Sequence, residues 1–229
     1  MSTHTKELLR SVRVAPSILS ADFGRLREQV SEVLAAGARV IHCDVMDGHF
    51  VPPITLGPVV LEGLAQLTND AGAMLDVHLM IERPERHIAD FVKAGADSIT
   101  VHAEATAHVA YAVDLIAQSG LGVGVAINPA TPVGALAEVS EMIDMALCMT
   151  INPGWGGQRL IPHTIQKIER VRAIVGAEVA VEVDGGIDPE TAPECRRAGA
   201  NVFVAGTAIF RAEDPPAAYR AIVDSLGGE

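Results

Sequence analysis

Aromatic residues are scarce: one Trp, two Tyr and five Phe in 229 residues. A core for a chain of this length must then be filled by Val, Ile, Leu and Ala, the side chains that fill parallel sheets and the helices packed on them. Basic residues are also few, 17 Lys and Arg against 29 Asp and Glu, for a net charge of −12. No Lys/Arg block breaks the acidic background, so nucleic acid is not expected as a partner. An anionic ligand would have to be held locally, by backbone N–H groups or a metal. Cysteine is limited to Cys43, Cys148 and Cys195, without a CxxC pair; this reads as buried free thiols in a reducing cytosol. The opening residues are polar and lack the apolar centre of a signal peptide. No apolar run is long enough to span a bilayer. A cytoplasmic protein without membrane contact is expected.

Linkers and low-complexity blocks are missing as well, so residues 1–229 are expected to form a single domain, with 1–12 as a polar N-terminal extension. What the chain has is a regular alternation. Apolar, strand-like runs at 14–19, 40–46, 74–80, 98–102, 122–127, 145–151, 179–184 and 201–205 are separated by helix-like segments. These helices are expected at 24–36, 58–67, 85–94, 107–118, 133–139, 162–175 and 189–198, with a last one near 215–226. Asp22 and Thr106 can cap helices, and Pro84 and Pro189 suit first turns. Three Ala-Gly-Ala triplets, centred on Gly37, Gly95 and Gly199, stand where helices should stop before strands. Eight strand–helix units of this length predict a (β/α)8 barrel with a closed, eight-stranded parallel sheet. The open doubly wound alternative is disfavoured, because no GxGxxG loop follows the first strand.

Within that frame the polar residues are unevenly placed. Side chains two apart on a strand share a face, so His42 and Asp44 point together. Asp76 and His78 repeat the pattern in reverse order, and Asp184 ends the seventh strand. Working groups of such barrels sit at the C-terminal strand ends. One His or Asp in an apolar strand is more often a hydrogen-bonded core residue than a ligand. Four that converge are better explained by one divalent metal held by His42, Asp44, His78 and Asp184. Asp76 lies deeper and is read as a carboxylate orienting an imidazole. Glycine-bearing loops follow strands six, seven and eight, namely Asn152 to Gln158, Asp184 to Ile187 and Gly206-Thr207; together they suggest a phosphate cradle. A metal beside two opposed carboxylates suits stabilisation of an enediolate, with a proton removed from one face and returned to the other. Met46, Met80 and Met149 end strands nearby and could shield such a species from water, or simply fill core.

At these residues a resemblance appears. Ala15-Pro16-Ser17-Ile18-Leu19-Ser20-Ala21-Asp22-Phe23, the run Asp44 to Pro52, Asp76-Val77-His78-Leu79-Met80, Asn152-Pro153-Gly154 and Glu182-Val183-Asp184-Gly185-Gly186-Ile187 resemble the ribulose-phosphate 3-epimerase family, in family order from about Val14 to the last helix. The resemblance implies interconversion of D-ribulose 5-phosphate and D-xylulose 5-phosphate through a 2,3-enediolate. It implies metal ligation by His42, Asp44, His78 and Asp184, with Asp44 as proton acceptor and Asp184 as donor. Ser17, His78, Gly154, Trp155, Gly156, Gly157, Asp184, Gly185, Gly186, Gly206 and Thr207 would contact substrate. One divalent ion per subunit is implied, Zn²⁺ first and Fe²⁺, Mn²⁺ or Co²⁺ as alternatives, in a homo-oligomer. Pro53, Trp155 and Arg159-Leu160 depart from the family's usual residues. The nearest rival activity is epimerisation of a hexulose 6-phosphate such as allulose 6-phosphate. A phosphosugar lyase would want a site lysine, and the strand-end motifs hold none. A non-catalytic phosphosugar-binding protein would have no need of the four ligands.

Overall fold

The computed structural model describes residues 1–228. After helix α1 (Thr3–Arg10), eight strands follow: β1 (Arg13–Pro16), β2 (Val40–Met46), β3 (Met74–Met80), β4 (Ser98–His102), β5 (Gly122–Ile127), β6 (Met145–Met149), β7 (Ala180–Asp184) and β8 (Val202–Ala205). The helices between and after them are α2 (Leu26–Ala35), α3 (Pro58–Asp70), α4 (Ile88–Lys93), α5 (Val109–Gln118), α6 (Thr164–Val175), α7 (Ala192–Arg197), α8 (Thr207–Phe210) and α9 (Pro215–Ser225). All the ladders are parallel, in the order β1-β8-β7-β6-β5-β4-β3-β2. The remaining seam, β1 to β2, is closed by a single parallel bridge between Ser17 and His42. β1 stops short of the expected Leu19 because Pro16 has no N–H to extend the ladder. The chain then turns into a 3-10 helix, Ile18–Ser20.

Residues of alternating parity face the two layers. Ile41, Cys43, Val45, Leu75, Val77, Ile99, Val101 and Val181 belong to the large cluster that packs the sheet onto the helices. The opposite face fills the barrel in tiers. Its lower tier is apolar: Ala15, Val40, Met74, Met145, Ala180, Val202 and Val204. The N-terminal stretch, expected as a polar extension, is helix α1, and it buries Leu8 and Leu9 in this tier. A polar extension was expected because only two large apolar residues, adjacent in sequence, carry the contact.

Each Ala-Gly-Ala triplet ends a helix. Gly37, Gly95 and Gly199 hold positive φ, and the following Ala donates its N–H five residues back, to Val33, Phe91 and Cys195, the six-to-one bond of the Schellman motif. Asp22 caps a 3-10 turn, Phe23–Arg25, that leads into α2. Thr106 accepts from His108 N–H one turn before α5 and does not cap it. Pro84 opens a 3-10 turn as expected, whereas Pro189 lies ahead of α7, whose proline in the first turn is Pro193. The expected helix at 133–139 is a 3-10 helix; seven residues that include Gly134 are too few and too weak in propensity to propagate an α-helix. The three cysteines are buried and unpaired, and burial pushes the Cys148 thiol up to about 11. Among the described residues no helix is long and apolar enough to cross a membrane.

If α1 is the plug of the barrel floor, Leu9→Ala should cost about 2–5 kcal/mol of unfolding free energy, read by urea denaturation. A cost below about 0.5 kcal/mol would mean that α1 merely rests on the barrel.

Candidate metal and substrate site

The upper tiers are polar. Register pairs His42 with Asp76, Asp44 with His78, Asp76 with Ser98 and Met149 with Asp184, so inward-facing groups from β2, β3 and β7 meet near the C-terminal rim. His42, Asp44, His78 and Asp184 each offer a ligand atom within 4.8 Å of the others. His42 Nε2 lies 3.3 Å from Asp44 Oδ1, and His78 Nδ1 lies 3.2 Å from the same oxygen and 3.8 Å from Asp184 Oδ2. Ser17 Oγ donates to Asp44 Oδ2 at 2.5 Å. The four residues named from sequence are therefore together.

The His42 ring is oriented from behind. Its Nδ1 donates to Asp76 Oδ2 at 2.7 Å, and Asp76 Oδ1 receives the Ser98 hydroxyl. A proton fixed on Nδ1 leaves Nε2 as a lone pair, and that buried Nε2 has no hydrogen-bond partner. A lone pair aimed at a buried carboxylate is repulsive unless positive charge lies between them. The donor set of two imidazoles and two carboxylates, with this orphaned nitrogen, fits a divalent transition ion.

Without an ion, a second proton on His42 supplies that positive charge. Burial works against ionising Asp44, but the His42 and His78 rings outweigh it and hold its carboxyl well below the usual range. Burial disfavours charge on His42, yet Asp44, Asp76 and Glu182 raise its ring well above the imidazole value. His78 is lowered to about 4 by burial, in spite of Asp44, so it offers a neutral nitrogen. Asp184 is pushed up to about 8 by burial and then by the charge on Asp44.

A cavity of about 770 Å³ opens above this cluster. Asp44, Asp184 and Ser17 face it, and so do Met46, Met80 and Met149. The three methionines are 1–3% exposed. His42 and His78 are fully buried beneath, outside its lining. Gly154, Trp155, Gly156, Gly157, Gly185, Gly186, Gly206 and Thr207 form one side of the rim. Two of these glycines are compelled by packing. A Cβ on Gly186, at φ +67°, would stand 2.3 Å from Leu160 N, and one on Gly185, at φ +118°, 2.2 Å from Ile151 Cγ1. Thr150 ties this turn to β6 by donating to the carbonyls of Asp184 and Gly185. Trp155 is half exposed, and the neighbouring Arg159 and Leu160 also line the cavity. Pro53 packs near Gly154.

Several residues passed over in the sequence belong to the site's surroundings. Glu182, fully buried below Asp184, lies 3.5 Å from His42 Nδ1 and is pushed up to about 8 by burial and Asp76. His102 and Glu104 stand behind His78. Glu182 shares a face with Asp184, so period-two counting along β7 could have found it. Asp47, which accepts from His49, Phe50 and Glu82 N–H groups, holds the loop after β2. Lys167, buried in α6, donates to loop carbonyls of Asn128, Pro129 and Thr131 and does not face the cavity.

Comparison with known proteins adds the lineage. The sequence model described as the Ribulose-phosphate 3 epimerase family matches residues 13–210. The chain is 47% identical over 207 residues to the ribulose-phosphate 3-epimerase of Bacillus subtilis (strain 168), covering 89% of this chain and 94% of that one. It is 44% identical to the enzyme of the same name from Escherichia coli (strain K12), covering 96% and 97%. Among solved structures, a 3-hexulose-6-phosphate synthase superposes with a TM-score of 0.69 at 23% identity, covering 94% of this chain and 99% of that one. A thiamine phosphate pyrophosphorylase from Pyrococcus furiosus gives 0.67 at 17%, covering 99% and 98%. At such identities the two structures speak for the barrel alone.

Asp76→Ala would remove the acceptor that fixes the His42 tautomer. Divalent-ion affinity, measured by chelator competition, should weaken by about 10–100-fold; an unchanged affinity would reduce Asp76 to a packing residue.

Proposed function

The chain belongs to the ribulose-phosphate 3-epimerase family, and on that premise we propose that it interconverts D-ribulose 5-phosphate and D-xylulose 5-phosphate by a two-carboxylate proton transfer. The observation that carries the reading is geometric. Asp44 and Asp184 come from β2 and β7, face the same cavity, and both lie beside His78 Nδ1, at 3.2 and 3.8 Å.

Asp44 acts as the base in one direction. It takes the proton from C3, and the C–H electron pair moves onto the C2 carbonyl oxygen to give the 2,3-enediolate. Asp184, protonated, returns a proton to the opposite face of C3, and the carbonyl re-forms. The configuration at C3 is then inverted and the two acids have exchanged protonation states; in the reverse direction they exchange roles. Ser17 holds Asp44 in place through its 2.5 Å bond. The methionines exclude water above the cluster, and the half-open rim admits the sugar. Gly156, Gly157, Gly185, Gly186, Gly206 and Thr207 are assigned to the phosphate end, where backbone N–H groups can take up an anion. Gly154, Trp155 and His78 complete the proposed contacts.

His42, Asp44, His78 and Asp184 would hold one divalent ion per subunit, which when bound supplies Lewis-acid stabilisation of negative charge developing on the substrate oxygens. A mixed nitrogen–oxygen set of four suits Zn²⁺ first, with Fe²⁺, Mn²⁺ and Co²⁺ as alternatives. We assign the chain to one barrel domain with α1 as its floor, acting in the cytoplasm as a homo-oligomer.

Asp44→Asn and Asp184→Asn should each lower kcat by at least about a hundredfold, within the range general acid–base catalysis supplies. Either variant within about tenfold of wild type, roughly 1.4 kcal/mol of barrier, would dismiss that residue as acid or base. Chelation should abolish turnover, and a divalent transition ion should restore it. Ribulose 5-phosphate should be turned over faster than allulose 6-phosphate, and proton exchange at C3 in deuterated water should accompany it. Faster turnover of the hexulose phosphate would transfer the chain to the sister activity.

A further inference from the structure

Behind the His78 ring lies a line of polar groups that the reaction itself does not use. His78 Nε2 is 2.8 Å from His102 Nε2, with the two ring planes within 23° of parallel. His102 Nδ1 is 3.2 Å from Glu104 Oε2. The other carboxylate oxygen, Glu104 Oε1, accepts the Asn128 N–H at 2.7 Å and the Thr131 hydroxyl. Lys167 in turn fixes this loop by donating to the Asn128, Pro129 and Thr131 carbonyls. Both rings are fully buried, and Phe50 covers His102 with its ring centroid 4.7 Å away.

Between two neutral imidazoles one nitrogen must donate and the other accept, so the line has a direction. The direction is set at its far end. Burial opposes a charge on Glu104, but the bonds from His102, Thr131 and Asn128 hold its carboxyl at about 2. An anionic acceptor requires the proton of His102 on Nδ1. His102 Nε2 is then a lone pair and requires the proton of His78 on Nε2. His78 Nδ1 is left as a lone pair facing Asp44 and Asp184. The opposite arrangement would set the His102 Nδ1 lone pair against the Glu104 carboxylate, whereas the Asp44 carboxylate facing His78 Nδ1 already takes the Ser17 hydroxyl and lies beside the His42 ring.

We propose that His102 and Glu104 are positioning residues, forming a directed hydrogen-bond relay that locks His78 in the tautomer whose Nδ1 lone pair faces Asp44 and Asp184. The relay is the counterpart of the Asp76 bond behind His42, but it acts across an additional imidazole and from a loop rather than a strand. It deepens the metal reading of the site and rests on it, because a lone pair presented to two carboxylates is useful only to a cation.

Glu104→Gln is the decisive variant, since it conserves shape. The Asn128 N–H and Thr131 hydroxyl keep the amide oxygen at the Oε1 position. The amide NH2 then faces His102 Nδ1, which must become the acceptor. The relay inverts, and His78 acquires its proton on Nδ1. Nitrogen-15 histidine spectra of the chelator-stripped full chain read this directly. Wild type should show His78 protonated on Nε2, and Glu104→Gln should show it on Nδ1. Zn²⁺ affinity by chelator competition should fall about 10–100-fold, with the urea midpoint of the stripped protein unchanged. His102→Phe, which cannot accept, should weaken Zn²⁺ by a similar factor, and Glu104→Asp should recover part of the loss. Wild-type tautomer and wild-type Zn²⁺ affinity in Glu104→Gln would overturn the relay while leaving the metal site intact. A wild-type chain that takes up no divalent ion would overturn the metal reading itself, whatever the tautomers.

Discussion

Two nitrogen lone pairs converge on one buried carboxylate, and most of the barrel interior is arranged to keep them there. His42 is held by Asp76, and Asp76 by Ser98; His78 is backed by His102 and Glu104. Each support ends in an acid that wants a proton from the ring, so each ring turns its bare nitrogen toward Asp44. Without an intervening cation the cluster must draw its positive charge from a second proton on His42. With one, the same atoms become a preorganised ligand set. The interior of the barrel is thus arranged around a cluster whose donor set fits a divalent ion.

The architecture makes that demand affordable. The polar tier is sandwiched between the apolar floor, sealed by Leu8 and Leu9, and the methionine-lined cavity above. Room for it comes from β5, where Gly122 and Gly124 stand beside Ser98 and Thr100; a Cβ on Gly124 would lie 2.0 Å from Thr100 Oγ1. Side chains missing from one strand leave space for the hydroxyls of the next. The weak seam also falls in a meaningful place. The single bridge joining β1 to β2 is made by Ser17 and His42, a residue that holds Asp44 and one of the proposed ligands. Closure of the barrel and assembly of the site therefore share the same pair of residues.

Strand positions were legible in the sequence wherever an apolar run was bounded on both sides. β2, β3, β4 and β5 have the expected limits, because Gly or Ala-Gly-Ala punctuation precedes them and, in the first three, polar inward residues keep period two. The four proposed ligands were legible for the same reason: His-x-Asp and Asp-x-His declare a shared face without any knowledge of the fold. Helices were read less well. The segments at 85–94 and 133–139 contain 3-10 turns, and short helices are decided by packing rather than by local propensity. His102 and Glu104 escaped notice because their meaning depends on what lies opposite. Nothing local to His102-Ala103-Glu104 says that one ring will meet His78 across the β3–β4 ladder, or that a loop anchored by Lys167 will hold the carboxylate.

The two carboxylates at the cavity differ in a way that suits unequal tasks. Asp44 is clamped: Ser17 donates to its side chain, Thr55 to its carbonyl, and two imidazoles face it. Asp184 is held through its backbone, by Thr150, while its side chain has only His78 at 3.8 Å and remains about 15% exposed. The clamped acid is driven toward its charged form. The looser one, pushed up to about 8 by burial and by Asp44, is driven toward its protonated form. Burial and neighbouring charge thus set the two carboxyls apart within one cluster. The asymmetry follows from strand length. β2 runs past Asp44 to Met46, so its neighbours enclose that side chain, whereas β7 ends at Asp184. A residue at a strand terminus keeps a side-chain freedom that a residue two positions deeper in its strand has lost.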